Sequence, residues 1–279
     1  MKYYLNIVGG LGDIFCMLQN KGSTLCDARE LLSRDPDADI VLNVYSDNPG
    51  SSELFKYSVF SEVNTFKHSE FPPLPDTNIP HFPTLFPEDR PTGLSLVRLD
   101  TGHQEDRLAL SFIHGTNKIC IFHPFTSTPT KLMPPSIDKQ KFVDVMIDKY
   151  GYKVIMPFQT TTVYFGLPKS FDMAEEFDYS RKGLIKLSDY LDNITRVAFY
   201  LTVCYARKII AVDSAYIMLR NWVLMPDQQN TLALLWEGAE ERFKQGHYFY
   251  KGLDTPPNMY ITYNKIADVE KLLDKFMEM

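Results

Sequence analysis

Three short stretches of this chain combine residue types that could do chemistry. The first is Gly9-Gly10-Leu11-Gly12-Asp13, where three glycines in four positions let the backbone turn sharply and pass close to something bulky. Asp13 is the odd member, because a carboxylate in a phosphate cradle would repel the phosphate. An acid at that point is suited to taking a proton from a hydroxyl, and equally to capping the helix that follows. The second is the loop His123-Pro124-Phe125-Thr126-Ser127-Thr128-Pro129-Thr130-Lys131. Thr126, Ser127 and Lys131 bring hydroxyls and a cation, the groups that hold phosphate oxygens, onto what is otherwise a solvated Ser/Thr/Pro loop. The third is Asp213-Ser214, which follows an apolar run and opens an apolar helix. There Ser214 and the free N–H groups behind it could bind a diphosphate, or simply cap the helix.

Each stretch needs a strand in front of it and a helix behind it. Lys2 to Val8 reads as a buried first strand, and Ile14 to Leu32 carries a helical apolar stripe. Asp39 to Tyr45 is a second buried strand, with a turn at Asp47-Asn48-Pro49-Gly50, a short helix over 51–60 and a third strand over 63–66. Seven prolines between Glu70 and Pro91 exclude regular structure there. A strand over 94–99 and a helix over 105–113 precede a break at His114-Gly115-Thr116-Asn117. A second series then begins: a strand over 118–122, a helix over 138–150 stopped by Gly151, and a strand over 152–156. A helix over 187–205, strands over 208–212 and 231–236, a buried strand near Tyr248-Phe249-Tyr250-Lys251 and a closing helix over 266–276 complete it. Two β/α series separated near residue 115 give an α/β chain of two Rossmann-like lobes facing a cleft. The expected lobes are 1–115, compact, and 116–279, with the closing helix free to pack back on the first.

Composition narrows the partners. Hydrophobic residues make up 44% and charged residues 23%, as in ordinary globular chains, and a net charge of −6 advertises no general basic surface for nucleic acid. Cys16, Cys26, Cys120 and Cys204 show no zinc spacing and read as reduced, mostly buried thiols. With no apolar run of about 20 residues and no signal peptide in view, a cytoplasmic protein without an integral membrane segment is expected. His68, His81, His103 and His247 read as surface residues, while Trp222 and Trp236 read as core. The glycine turn lacks the G-x-G-x-x-G spacing of nicotinamide-dependent oxidoreductases.

Taken in order, the three stretches resemble the heptosyltransferase-like glycosyltransferases of glycosyltransferase family nine. That family opens with a strand and a G-x-[LI]-G-D turn, matched by Gly10-Leu11-Gly12-Asp13. Its second lobe opens with a strand ending in a His-Pro-Gly type loop and a Lys, similar to His123-Pro124 and Lys131. It then carries a strand ending in Asp-Ser-Gly-x-x-His, similar to Asp213-Ser214-Ala215-Tyr216-Ile217-Met218. Phe125 and Ala215 stand where the family has Gly, and Met218 where it has His. The resemblance spans nearly the whole chain and implies a GT-B architecture, with acceptor on the first lobe and nucleotide-sugar donor on the second. It implies Asp13 as general base, with Lys131 and the Ser214 helix terminus neutralising the leaving nucleoside diphosphate. No cofactor beyond the nucleotide-sugar co-substrate and no metal is implied.

The acceptor would be a glycan. The Tyr, Phe, Asp and Lys bias and low Ala content are also reminiscent of bacteriophage proteins, which would make it a hydroxymethylated DNA base, flipped out for reaction in the host cytoplasm. Two other classes stand beside transfer: a nucleotide-sugar-binding protein without turnover, and a sugar-nucleotide epimerase. Oligomeric state is open.

Overall fold

The computed structural model describes residues 2–9, 31–46, 60–70, 118–126, 131–157, 177–189, 205–214, 216–217, 220, 230–240 and 259–279. The chain divides into two compact units, Met1–Asp100 and Thr101–Met279. The expected boundary near residue 115 lies outside the described residues.

In the first unit β1 (Lys2–Val8), β2 (Asp39–Tyr45) and β3 (Glu62–Phe66) form a parallel sheet in that order. The central strand β2 buries Ile40, Val41, Leu42 and Val44, as a run apolar on both faces should. β1 departs from the expectation of a buried strand. Only Ile7 is fully enclosed, and Tyr4 is 61% exposed. Among the described residues β1 pairs with β2 alone, so its apolar composition reflects strand propensity more than burial. A polar row ties the three strands together, with Asn43 donating to Asn6 at 2.9 Å and Asn64 to Asn43 at 3.2 Å. Residues 31–34 are helical and end the segment expected over 14–32, whose earlier part lies outside the described residues. Outside them too fall the strand over 94–99, the helix over 105–113 and nearly all of the helix over 51–60 and the proline-rich stretch.

The second unit holds β4 (Ile119–His123), α1 (Lys139–Asp148), β5 (Lys153–Met156), β6 (Leu184–Lys186), β7 (Lys208–Val212), β8 (Thr231–Leu235), β9 (Met259–Thr262) and α2 (Val269–Met277). Its six strands are all parallel, in the order β6-β5-β4-β7-β8-β9. β7 and β8 are buried at every position and β4 at four of five, so the unit's core runs on both faces of the sheet. From β4 the chain moves outward to β5 and β6. It then returns to pair β7 on the other side of β4 and continues outward to β8 and β9. That reversal creates a topological switch point between β4 and β7.

Local chemistry sets the helix ends. Asp138 caps α1 by accepting from Lys141 N at 3.0 Å, and Gly151, at φ +68°, donates to the Ile147 carbonyl at 3.0 Å to stop it. The closing helix starts at Val269 rather than 266, because Asp268 accepts from Glu270 N at 2.9 Å and Lys271 N at 3.2 Å. A 3-10 turn, Tyr263–Lys265, occupies the preceding residues. The closing helix lies against α1. Lys149 bridges Glu270 at 3.0 Å and Asp274 at 2.6 Å, and the Tyr150 hydroxyl donates to Asp274. The helix expected over 187–205 begins as a 3-10 turn, Leu187–Asp189, and residues 190–204 lie outside the described residues. β6 and β9 were not expected. The strand expected near Tyr248 lies outside the described residues, as do Cys16, Cys26 and Cys204. Cys120 is a buried free thiol, and burial pushes its pKa up to about 12, which leaves it unreactive. Among the described residues, no helix is long and apolar enough to cross a membrane.

Lys208 places a buried cation at the amino end of β7. Lys208 is 6% exposed, and its Nζ donates to Asn230 Oδ1 at 3.2 Å and to the Phe276 carbonyl in the last turn of α2 at 3.3 Å. Burial lowers the Lys208 pKa, so each acceptor matters. Asn230 also holds a left-handed φ of +45° at the entry to β8. Asn230→Ala is therefore expected to lower stability by about 2–3 kcal/mol, combining left-handed backbone strain with a lost charged hydrogen bond. Asn230→Gly should cost distinctly less, as glycine keeps the backbone conformation. Urea unfolding of the two variants checks the ordering.

Candidate functional site

The switch point is where polar side chains collect. β4 and β7 pair in register with His123 opposite Ala211, so the residues just beyond, Pro124 to Thr126 on one side and Asp213-Ser214 on the other, emerge side by side. In open parallel sheets, chain reversal at such a point sends the loops apart and leaves a crevice at the carboxyl ends of the strands. Lys131, at the end of the loop leaving β4, extends its ammonium to within 2.7 Å of Asp213 Oδ2. The pair is mostly enclosed, with side-chain exposures of 21% for Lys131 and 4% for Asp213. Two sequence stretches about 80 residues apart thus meet in one ion pair.

His123 and Ser214 share a further property. His123 Nδ1 and Ser214 Oγ are buried atoms that make no hydrogen bond among the described residues, whereas Asp213 Oδ2 is taken up by the Lys131 ammonium. Buried polar atoms in that state carry a desolvation penalty that a ligand's polar groups can relieve. Both lie at the carboxyl ends of the adjacent strands β4 and β7. His123 packs against the Tyr216 ring at 4.5 Å and edge-on to Phe125 at 6.2 Å. Burial pushes the His123 imidazole down to about 3, against the weaker pull of its own backbone, so it is neutral at physiological pH.

Two tyrosines brace the crevice. Tyr216, two residues beyond Ser214 and helical, donates its hydroxyl to the Pro157 carbonyl at 2.9 Å. It thereby links the end of β7 to the end of β5, across His123 of β4. Tyr263, just past β9, donates to the Lys131 carbonyl at 2.6 Å. Burial, and then the nearby Asp213 carboxylate, raise the Tyr263 phenol's pKa, which keeps it protonated and donating.

Thr126 lies beside this site as the loop leaves β4, and Ser127 lies outside the described residues. Phe125, standing where glycine was the expected type, is 4% exposed and turns into the core against Phe177, ring centroids 5.9 Å apart. Gly9 leaves β1 with φ +125° and donates to the Tyr45 carbonyl at 3.1 Å, a conformation that suits glycine. Gly10, Gly12 and Asp13 lie outside the described residues, as do Ala215 and Met218. Nothing in the local sequence around Tyr263 signals a role for it, since the strand before it is too short and too little buried to stand out. Trp236, expected in the core, packs against it. His68 is exposed. Among the described residues, no three His, Cys, Asp or Glu side chains group to hold a metal ion.

Removing one partner of an enclosed ion pair leaves the other charge uncompensated. Lys131→Ala is expected to lower stability by about 3 kcal/mol, and adding Asp213→Asn should recover most of the loss. Urea denaturation of the two singles and the double measures the coupling. His123 adds a pH dependence. Its folded pKa lies below the unfolded value of about 6.5, so the unfolded chain binds the extra proton. The His123 contribution is complete above pH 6.5 and is lost as pH falls from there toward 3. His123→Gln should flatten the fall in urea midpoint between pH 6.5 and 4.

No protein-family model matches this sequence, and no curated protein does. Solved structures do match in fold. The chain superposes on E. coli ADP-heptose LPS heptosyltransferase II with a TM-score of 0.57 at 15% identity, covering 100% of this chain and 99% of that one. An E. coli heptosyltransferase with ADP matches with a TM-score of 0.56 at 10% identity, covering 100% and 99%. A glycosyl transferase family 9 protein from Veillonella parvula matches at 0.51 and 12%, covering 100% and 98%. At such identities the likeness is one of fold: a parallel-sheet α/β chain built like these glycosyltransferases.

Proposed function

We propose that this chain is a glycosyltransferase, moving a sugar from a nucleotide-sugar donor to an acceptor hydroxyl. The observation that carries the proposal is the Lys131–Asp213 pair at the switch point, with Ser214 and Thr126 beside it. A cation, hydroxyls and backbone N–H groups at adjacent strand ends suit a diphosphate, whose negative charge grows as it leaves. The fold neighbours support this reading, since one is described with ADP and another with ADP-2-deoxy-2-fluoro heptose.

In this mechanism Asp13 takes the proton from the acceptor hydroxyl as its oxygen attacks the anomeric carbon. The bond from that carbon to the phosphate oxygen breaks, and the nucleoside diphosphate leaves with the electron pair. Lys131 and Ser214 hold the departing charge, with Asp213 orienting the lysine and Thr126 and Ser127 contacting phosphate oxygens. The Gly9, Gly10 and Gly12 turn brings the backbone close to the acceptor. The reaction needs no cofactor, and Lys131 supplies positive charge that a metal would otherwise bring. The acceptor is a glycan, or, for a phage-encoded chain, a hydroxymethylated base of DNA, and the protein works in the cytoplasm.

The first test is thermal stabilisation by a panel of nucleoside diphosphates and nucleotide sugars. A ligand at 100 times its dissociation constant adds about 2.7 kcal/mol. One nucleotide should stabilise selectively, and Ser214→Ala should weaken the shift. No shift with any of them would sink the donor assignment. With a donor identified, Asp13→Asn should keep the shift while transfer falls by about 100-fold or more, read as nucleoside diphosphate released with acceptor present. Isomerisation of the sugar without acceptor would instead mark an epimerase. Binding without either reaction would mark a nucleotide-sugar-binding protein.

A further inference from the structure

Lys131 is held at two points. Its ammonium meets Asp213, at the end of β7, at 2.7 Å. Its main-chain carbonyl accepts from the hydroxyl of Tyr263, at the end of β9, at 2.6 Å. The two anchors come from different strands, and β9 lies three places from β4 in the sheet, so neither is a local consequence of the loop's own folding. A lysine side chain has four rotatable bonds. An anchor at its tip alone leaves the backbone at its base free to shift, and an anchor at its base alone leaves the tip free. Together they define where the ammonium stands.

We propose that Tyr263 is a positioning residue of the crevice: its hydroxyl fixes the main chain at Lys131 and so places the ammonium for an anionic ligand. The inference rests on the reading of the crevice as a diphosphate site. Tyr263 itself is 7% exposed and its side chain sits in the core, so water does not readily take over the bond when the hydroxyl is removed. The residue begins the 3-10 turn that leads through the Asp268 cap into α2, and α2 is fastened to α1 by Lys149 and Tyr150. The position of Lys131 is thereby coupled to the closing helix. A hydroxyl acting this way touches no ligand, and its effect passes through Lys131.

The test compares wild type with Tyr263→Phe, which keeps the ring and removes the hydroxyl. Two readouts are taken: the rate at which an amine-acetylating reagent modifies Lys131 in the ligand-free protein, by peptide mass spectrometry, and the affinity for ADP by calorimetry. The melting temperature, expected to change by only a few degrees, shows that the variant folds. Lys131 should label several-fold faster in Tyr263→Phe, and ADP binding should weaken by about tenfold. An unchanged labelling rate overturns the proposal whether or not ADP binds. Faster labelling with wild-type ADP affinity overturns it as well. If wild type itself does not bind ADP while labelling rises in the variant, the diphosphate reading fails and the Tyr263 anchor stands.

Discussion

The pairing of β4 with β7 is the constraint on which the second unit depends. Both strands are apolar on both faces and must lie in the middle of the sheet, covered above and below. A central pair whose chain runs away in opposite directions cannot have its carboxyl-end loops folded over one another. The fold therefore opens a crevice where the two central strands of the reversal end together. Polar residues are excluded from the strand interiors and gather at the ends: Lys208 at the amino end of β7, Asp213 and Ser214 at its carboxyl end, His123 at the carboxyl end of β4.

The electrostatics of the crevice follow from its depth. Asp213 is nearly inaccessible and needs a cation, and Lys131 is the cation that the loop after β4 can deliver. His123 is kept neutral because protonation would add charge where water is scarce. The result is one internally compensated ion pair among neutral hydrogen-bonding groups. An anion entering this environment competes with Asp213 for the ammonium in a medium of low dielectric, where charge interactions are stronger than at the surface.

Much of this was legible in the chain. β2, β4, β5, β7 and β8 announce themselves as short apolar runs bounded by turn residues, and α1 by its stripe and its Gly151 stop. β6 did not, because three residues, Leu184-Ile185-Lys186, are too few to show a period. β9 was hidden behind Pro256-Pro257, and its four residues are only partly buried until Thr262. β1 misled in the other direction: aromatic and branched residues favour extended backbone whether or not they are covered. In the site, Lys131, Asp213 and Ser214 stand out by type and by their place after apolar runs. Tyr263 was invisible, since a tyrosine after a strand has no feature that says which carbonyl its hydroxyl will find.

By itself the sequence determined the parallel α/β character of the chain and the residue types at the strand ends. Both follow from short-range physics: apolar runs of strand length cannot stay in water, and glycine, serine, threonine and aspartate favour the turns that follow them. Only the tertiary structure decided that β7 returns to the far side of β4, that Lys131 meets Asp213, and that a hydroxyl from beyond β9 holds the Lys131 main chain. Those contacts join residues about 80 and 130 apart in the chain. Their partners are selected by the packing of the whole sheet, a choice that no local pattern records.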